Sequence, residues 1–150
     1  MAADLDTECA KLTQQLMQAH WRHSSAGELA ALDQIHAYLT ADETREDRAV
    51  GISFGAVVFG AIALHKLALV RGYHNPRNWA LTRIEGAHRV DPDLHERVIS
   101  AVEAELNFPG ASADVVYDLL VGADVELAIA VVRESVALAA ALAECCLLAS

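Results

Sequence analysis

A chain of 150 residues has the length of one domain and can bury roughly two-thirds of its unfolded surface, so neither a disulfide nor a structural metal is required to hold a core. Hydrophobic residues make up 54% of the chain but aromatic residues only 5%, an aliphatic and alanine-rich excess that suits packed helices and exceeds what a single core readily hides. The formal charge of -10 repels phosphate backbones, which excludes whole-surface binding to nucleic acid or anionic membranes and leaves only a local basic segment for such a ligand.

The stretch from Met1 to Leu12 carries Asp4, Asp6 and Glu8 and has no apolar run. It reads as neither a secretory signal nor an Arg-rich transit peptide, and the expected location is cytoplasmic. Leu5, Cys9, Leu12, Leu16 and His20 recur at steps of three and four, which predicts an amphipathic first helix reaching about Trp21. Ser24, Ser25 and Gly27 break it. Ser25 with Glu28 three residues on has the form of a capping box, and Leu29, Leu32, His36 and Leu39 repeat the helical step behind it, giving a second helix that ends near Thr40.

Asp42, Glu43, Glu46 and Asp47 then favour a helix amino terminus, and from Ala49 to Leu64 no residue is charged. The run reads as a long helix, apolar nearly all round and central to the fold. It stops at His65 and Lys66, short of the roughly 20 apolar residues a membrane span needs, so no span is expected. Gly72 terminates it, and Asn75-Pro76 starts a short fourth helix through Trp79, Leu81 and Ile84. Asp91-Pro92 repeats that device for a fifth helix with Leu94, Val98, Val102 and Leu106 on one face, ended by Phe108-Pro109-Gly110. Ser112 or Asp114 begins a short sixth helix reaching Gly122, and Asp124 begins an alanine-rich seventh.

No stretch alternates apolar and polar residues over strand length between turn signals. The expectation is an all-α fold: one domain over 1–150, a compact bundle of about seven helices with two central apolar helices at about 47–71 and 124–148. Their small residues let them pack on each other within one chain or across a dimer axis. Cys9, Cys145 and Cys146 are odd in number, lack paired metal-ligand spacing and include an adjacent pair poorly placed to bridge, so reduced and mostly buried thiols are expected.

The most site-like connection is Arg71 to Trp79, where Arg71, Tyr73, His74, Arg77 and Trp79 form a candidate ligand-binding set between a glycine turn and a helix start. Arg71, Arg77, Arg83, Arg89 and Arg97 outweigh Glu85, Asp91, Asp93 and Glu96, so 71–97 is net +1 and the remainder carries -11 with histidines neutral. An anionic ligand, nucleic acid included, would meet the chain here. The opposing reading pairs these arginines with local acids and with the acidic carboxyl-terminal third. Arg83 and His88, with four residues between them, resemble the arginine and histidine of the HEPN ribonucleases, and that resemblance implies RNA cleavage in an all-α dimer. Ile84 stands where that family usually has a polar residue.

His20 and His23 lie three apart near a helix end, and His36 is a candidate third ligand for a metal or small-ligand site. The competing reading makes His20 and His36 satisfied core histidines on apolar helix faces. His65, interrupting the longest apolar run, reads as buried. Ser53 sits inside an apolar helix rather than at a strand-to-helix elbow, so no nucleophile triad is indicated and no catalytic motif or cofactor is expected. The functional expectation is a helical binding or regulatory module that is not an enzyme, works by protein–protein contact and forms a homodimer.

Overall fold

A computed structural model describes residues 2–41, 43–71 and 92–149. They form six helices: α1 (Ala2–Trp21), α2 (Ser25–Leu39), α3 (Arg45–Arg71), α4 (Pro92–Asn107), α5 (Ser112–Leu120) and α6 (Val125–Ala149). No strand occurs among the described residues, and the protein is an all-α bundle. The two long apolar helices expected at about 47–71 and 124–148 are α3 and α6. The short helix expected from Asn75 lies outside the described residues.

The turn between α1 and α2 departs from the sequence reading. His23 adopts a left-handed backbone (φ 50), His23 N donates to the His20 carbonyl at 3.1 Å, and Ser24 N donates to the Ala19 carbonyl at 3.0 Å. This is the paired closure that usually places glycine at the left-handed position. It delivers Ser24 in an extended conformation, so Ser24 and not Ser25 caps α2, its hydroxyl accepting from Gly27 N at 2.9 Å. Glu28, the expected partner in a capping box, instead pairs with Arg133 Nε on α6 at 2.7 Å.

The core is built on α3 and α6, which make the most extensive helix pairing in the fold, within one chain. Arg45, at the start of α3, donates from Nη2 to the Ala123 carbonyl just before α6, at 3.0 Å. Further along, a side chain at Gly60 would meet Leu142 and Ala139 at 3.5–3.7 Å. The two helices therefore run parallel. α1 lies beside them in the same direction, with the Cys9 sulfur next to Gly51 and Trp21 Nε1 donating to the Ala140 carbonyl at 3.0 Å. α2 returns antiparallel to α1, carrying Tyr38 back to Cys9. Leu12, Leu16, Ile35, Leu39, Ile52, Val57, Val98, Val116, Leu120, Val131 and Val132 are fully buried in one cluster, and each such side chain contributes about 1.5–3 kcal/mol.

α2 buries Ala31, Ile35 and Leu39, and leaves Leu29 and His36 exposed, so its inward stripe is rotated from the expected one. α4 buries Leu94, Val98 and Val102 as its periodicity predicts. Its end and the start of α5 are tied by Glu105, whose carboxylate accepts from Gly110 N (2.8 Å), Ser112 N (3.3 Å) and the Ser112 hydroxyl (2.6 Å). Three stabilising hydrogen bonds hold that carboxyl below its ordinary range, the Ser112 hydroxyl being the largest cause. Asp124 opens α6 as expected, its Oδ1 accepting from Leu127 N at 2.8 Å.

Candidate functional site

α3 is not apolar and buried all round. One side of it meets the core through Ala49, Ile52, Ser53, Ala56, Val57, Gly60, Ala61 and Leu64, while the other leaves Gly51, Gly55, Phe59, Ile62 and Leu69 in solvent. Phe59 is 41% exposed, Ile62 53% and Leu69 70%, so this is open surface and not the edge of a packed layer. Asp47 stands exposed toward one end of the strip and His65 and Lys66 toward the other. At 3.6 residues per turn, positions 47, 51, 55, 59, 62, 66 and 69 fall within an arc of about 120°. From Gly51 to Ile62 the strip is an apolar ridge without charge, with Asp47 before it and Lys66 between Ile62 and Leu69. Exposed large side chains aligned on one helix face mark a contact surface more readily than scattered ones do.

No protein family, curated protein or solved structure matches the chain. The site is therefore read from geometry alone.

Of the candidate ligand-binding set, Arg71 closes α3, and Tyr73, His74, Arg77 and Trp79 lie outside the described residues, as do Arg83 and His88 of the ribonuclease-like pair. Within the described end of the basic segment, Arg97 pairs with Asp93 one turn away at 3.3 Å, both exposed. His95 behaves differently. It reaches inward from α4, and its Nδ1 hydrogen-bonds Oε1 of Glu134 on α6, with side chains only 16% and 6% exposed. Sequence reasoning missed this pair because its members are 39 residues apart, although Arg133-Glu134-Ser135 is a visible polar interruption of the apolar last helix.

The three candidate metal histidines have different surroundings. His20 is half-buried at the end of α1, His23 is exposed with Nε2 3.8 Å from Glu144 Oε1, and His36 is exposed on α2. Among the described residues no three His, Cys, Asp or Glu side chains are grouped to hold a metal ion, so these three form no such set. His65 is exposed, contrary to the expectation that it is buried. The rotation of α2 accounts for His36, and the outward face of α3 accounts for His65.

Cys9, partly buried, belongs to a small polar cluster between α1, α2 and α3. Its sulfur lies 3.1 Å from the Tyr38 hydroxyl, and Arg48 stacks its guanidinium 4.5 Å from the Tyr38 ring centroid while Nη1 donates to the Tyr38 carbonyl at 2.8 Å. Burial, reinforced by the Cys9 contact, holds the Tyr38 proton well above the ordinary phenol range, which outweighs the opposing pull of Arg48. The cluster locks three helices at one end of the bundle.

Proposed function

We propose that this chain is a helical interaction module that works through protein–protein contact, with the outward face of α3 as its contact surface and a homodimer as its assembled form. The observation that carries the reading is the exposed ridge of Gly51, Gly55, Phe59, Ile62 and Leu69 on the same helix whose opposite side anchors the core. Such a face is presented rigidly, because α3 is held along its length by α6. Burying it on a partner removes apolar surface from water without desolvating a charge between Ala49 and Leu64. In this reading α3 is a core helix with one outward face and not a membrane span. Arg45–Lys66 is long and apolar enough to cross a bilayer by length and composition, and the support for the core assignment is that half of its 18 most apolar consecutive residues are buried inside the protein.

Light scattering on the purified full-length chain tests the reading. A mass of two chains, converted to one chain by Phe59→Glu or Ile62→Glu with helical circular dichroism unchanged, is the expected result. A wild-type protein that stays at the mass of one chain across the accessible concentration range removes the homodimer.

A further inference from the structure

We infer that the α3 ridge is closed by the same ridge of a second copy, the two α3 helices packing antiparallel about a twofold axis near residues 56 and 57. The inference rests on the interaction-module reading and goes beyond it by fixing direction and register.

The ridge is asymmetric in two respects that match only when it is reversed on itself. Its first half presents Gly51 and Gly55, and its second half presents Phe59 and Ile62. A charge of opposite sign flanks the stretch from Gly51 to Ile62 on each side, Asp47 before the glycines and Lys66 after Ile62, both exposed. A twofold contact is isologous: if one copy's residue i meets the partner's residue j, then j meets i. Centred between 56 and 57, the antiparallel arrangement sets Ile62 over the partner's Gly51, Phe59 over the partner's Gly55, and Lys66 opposite the partner's Asp47, each twice. Phe59 enters the open space that the missing side chain of the partner's Gly55 leaves, Ile62 rests at the level of the partner's Gly51, and both ends of the contact carry an ion pair. A parallel arrangement does the reverse, placing Phe59 on Phe59, Ile62 on Ile62, Asp47 on Asp47 and Lys66 on Lys66. With -10 on each copy, a register that brings like charges together at both ends is disfavoured, and the reversed register offsets part of the mutual repulsion.

Gly55 supplies a clean test because a side chain added there meets nothing within 4 Å in the single chain, whereas one at Gly51 presses on the Cys9 sulfur at 3.3 Å. Gly55→Leu therefore leaves the fold intact and collides with the partner's Phe59. Sedimentation or light scattering of the full chain, with circular dichroism as the folding control, is run on wild type, Gly55→Leu, Asp47→Lys, Lys66→Asp, the double charge swap, and a mixture of the two single charge variants. The expected result is a wild-type dimer, weakened about 100-fold or more by Gly55→Leu. Each single charge reversal weakens it by about tenfold, since two exposed pairs turn repulsive. Affinity returns both in the double swap and in the mixture, where one variant supplies only lysines at these positions and the other only aspartates. A dimer indifferent to Gly55→Leu, or single charge variants that the mixture fails to rescue, overturns the antiparallel register and leaves the interaction-module reading standing. A wild-type protein of one-chain mass at every concentration overturns the register and the homodimer together.

Discussion

Glu105 supplies from the last turn of α4 what the first turn of α5 lacks, since Ala111 in the cap position has no side-chain acceptor to offer. Its carboxylate gathers two backbone N–H groups and the Ser112 hydroxyl, which would otherwise be unsatisfied at a helix start. Gly110, at φ 91, is the residue that lets the chain turn sharply enough for this. Because the folded carboxyl lies below its unfolded value near 4.5, its contribution is fully present above that value and is lost as pH falls through the folded one. Glu105→Ala is expected to lower stability by about 1.5–3 kcal/mol near neutral pH, the range for hydrogen bonds to a charged group. Urea midpoints measured from pH 7 down to pH 3 should show the gap between wild type and variant constant at first, then closing below about pH 4.5. A gap that does not change with pH would mean the carboxylate charge is irrelevant to the loop.

Along α3 the outward Gly55 and the inward Gly60 play opposite parts. Gly60 faces α6, with Ala139 and Leu142 at ordinary contact distance from a methyl placed there. Gly60→Ala is expected to be tolerated or to stabilise by up to about 1 kcal/mol through helix propensity, whereas Gly60→Leu overpacks the α3–α6 contact and is expected to cost about 1–3 kcal/mol. Thermal melts of the two variants, read at one protein concentration, separate close approach from mere absence of a side chain. The extents of α3 and α6 were legible in sequence because charge, glycine, proline and Asp124 punctuate them. Their rotational setting was not. In α2 the stripe Leu29, Leu32, His36 and Leu39 competes with Ala31, Ile35 and Leu39, and alanine is too small to announce which one is buried. In α3 every position from Ala49 to Leu64 is uncharged, so no polar side marks the outward face that forms the candidate site. The ridge appears only when burial is known.

The whole bundle is closed by α4, which packs against α3, α5 and α6 and sends one polar side chain inward. That contact, His95 to Glu134, was invisible to sequence reading because it depends on two helices meeting at one level, and it decides how firmly α4 is held. Glu134 lies on α6 with its side chain 6% exposed, among Val131, Val132, Val136, Ala137 and Leu138. Removing only its partner strands a carboxylate in the interior, and His95→Ala is expected to cost about 3–5 kcal/mol. Replacing both groups by apolar side chains of similar volume, His95→Leu with Glu134→Met, removes the desolvation cost together with the attraction and is expected to restore most of that loss or to exceed wild type. Denaturant unfolding of His95→Leu, Glu134→Met and the double variant measures the coupling, with His95→Ala alongside, provided the slope m is unchanged. A dimer of the proposed kind would link stability to concentration, so the cycle belongs in the Gly55→Leu background, where the proposed contact is weakened, at one low protein concentration. A large loss in His95→Ala that the double variant repairs identifies the pair as a fixer of α4 position with little net stabilisation. Equal losses in single and double variants would instead make the pair a net stabiliser of the core, because then the interaction and not the stranded charge accounts for the energy.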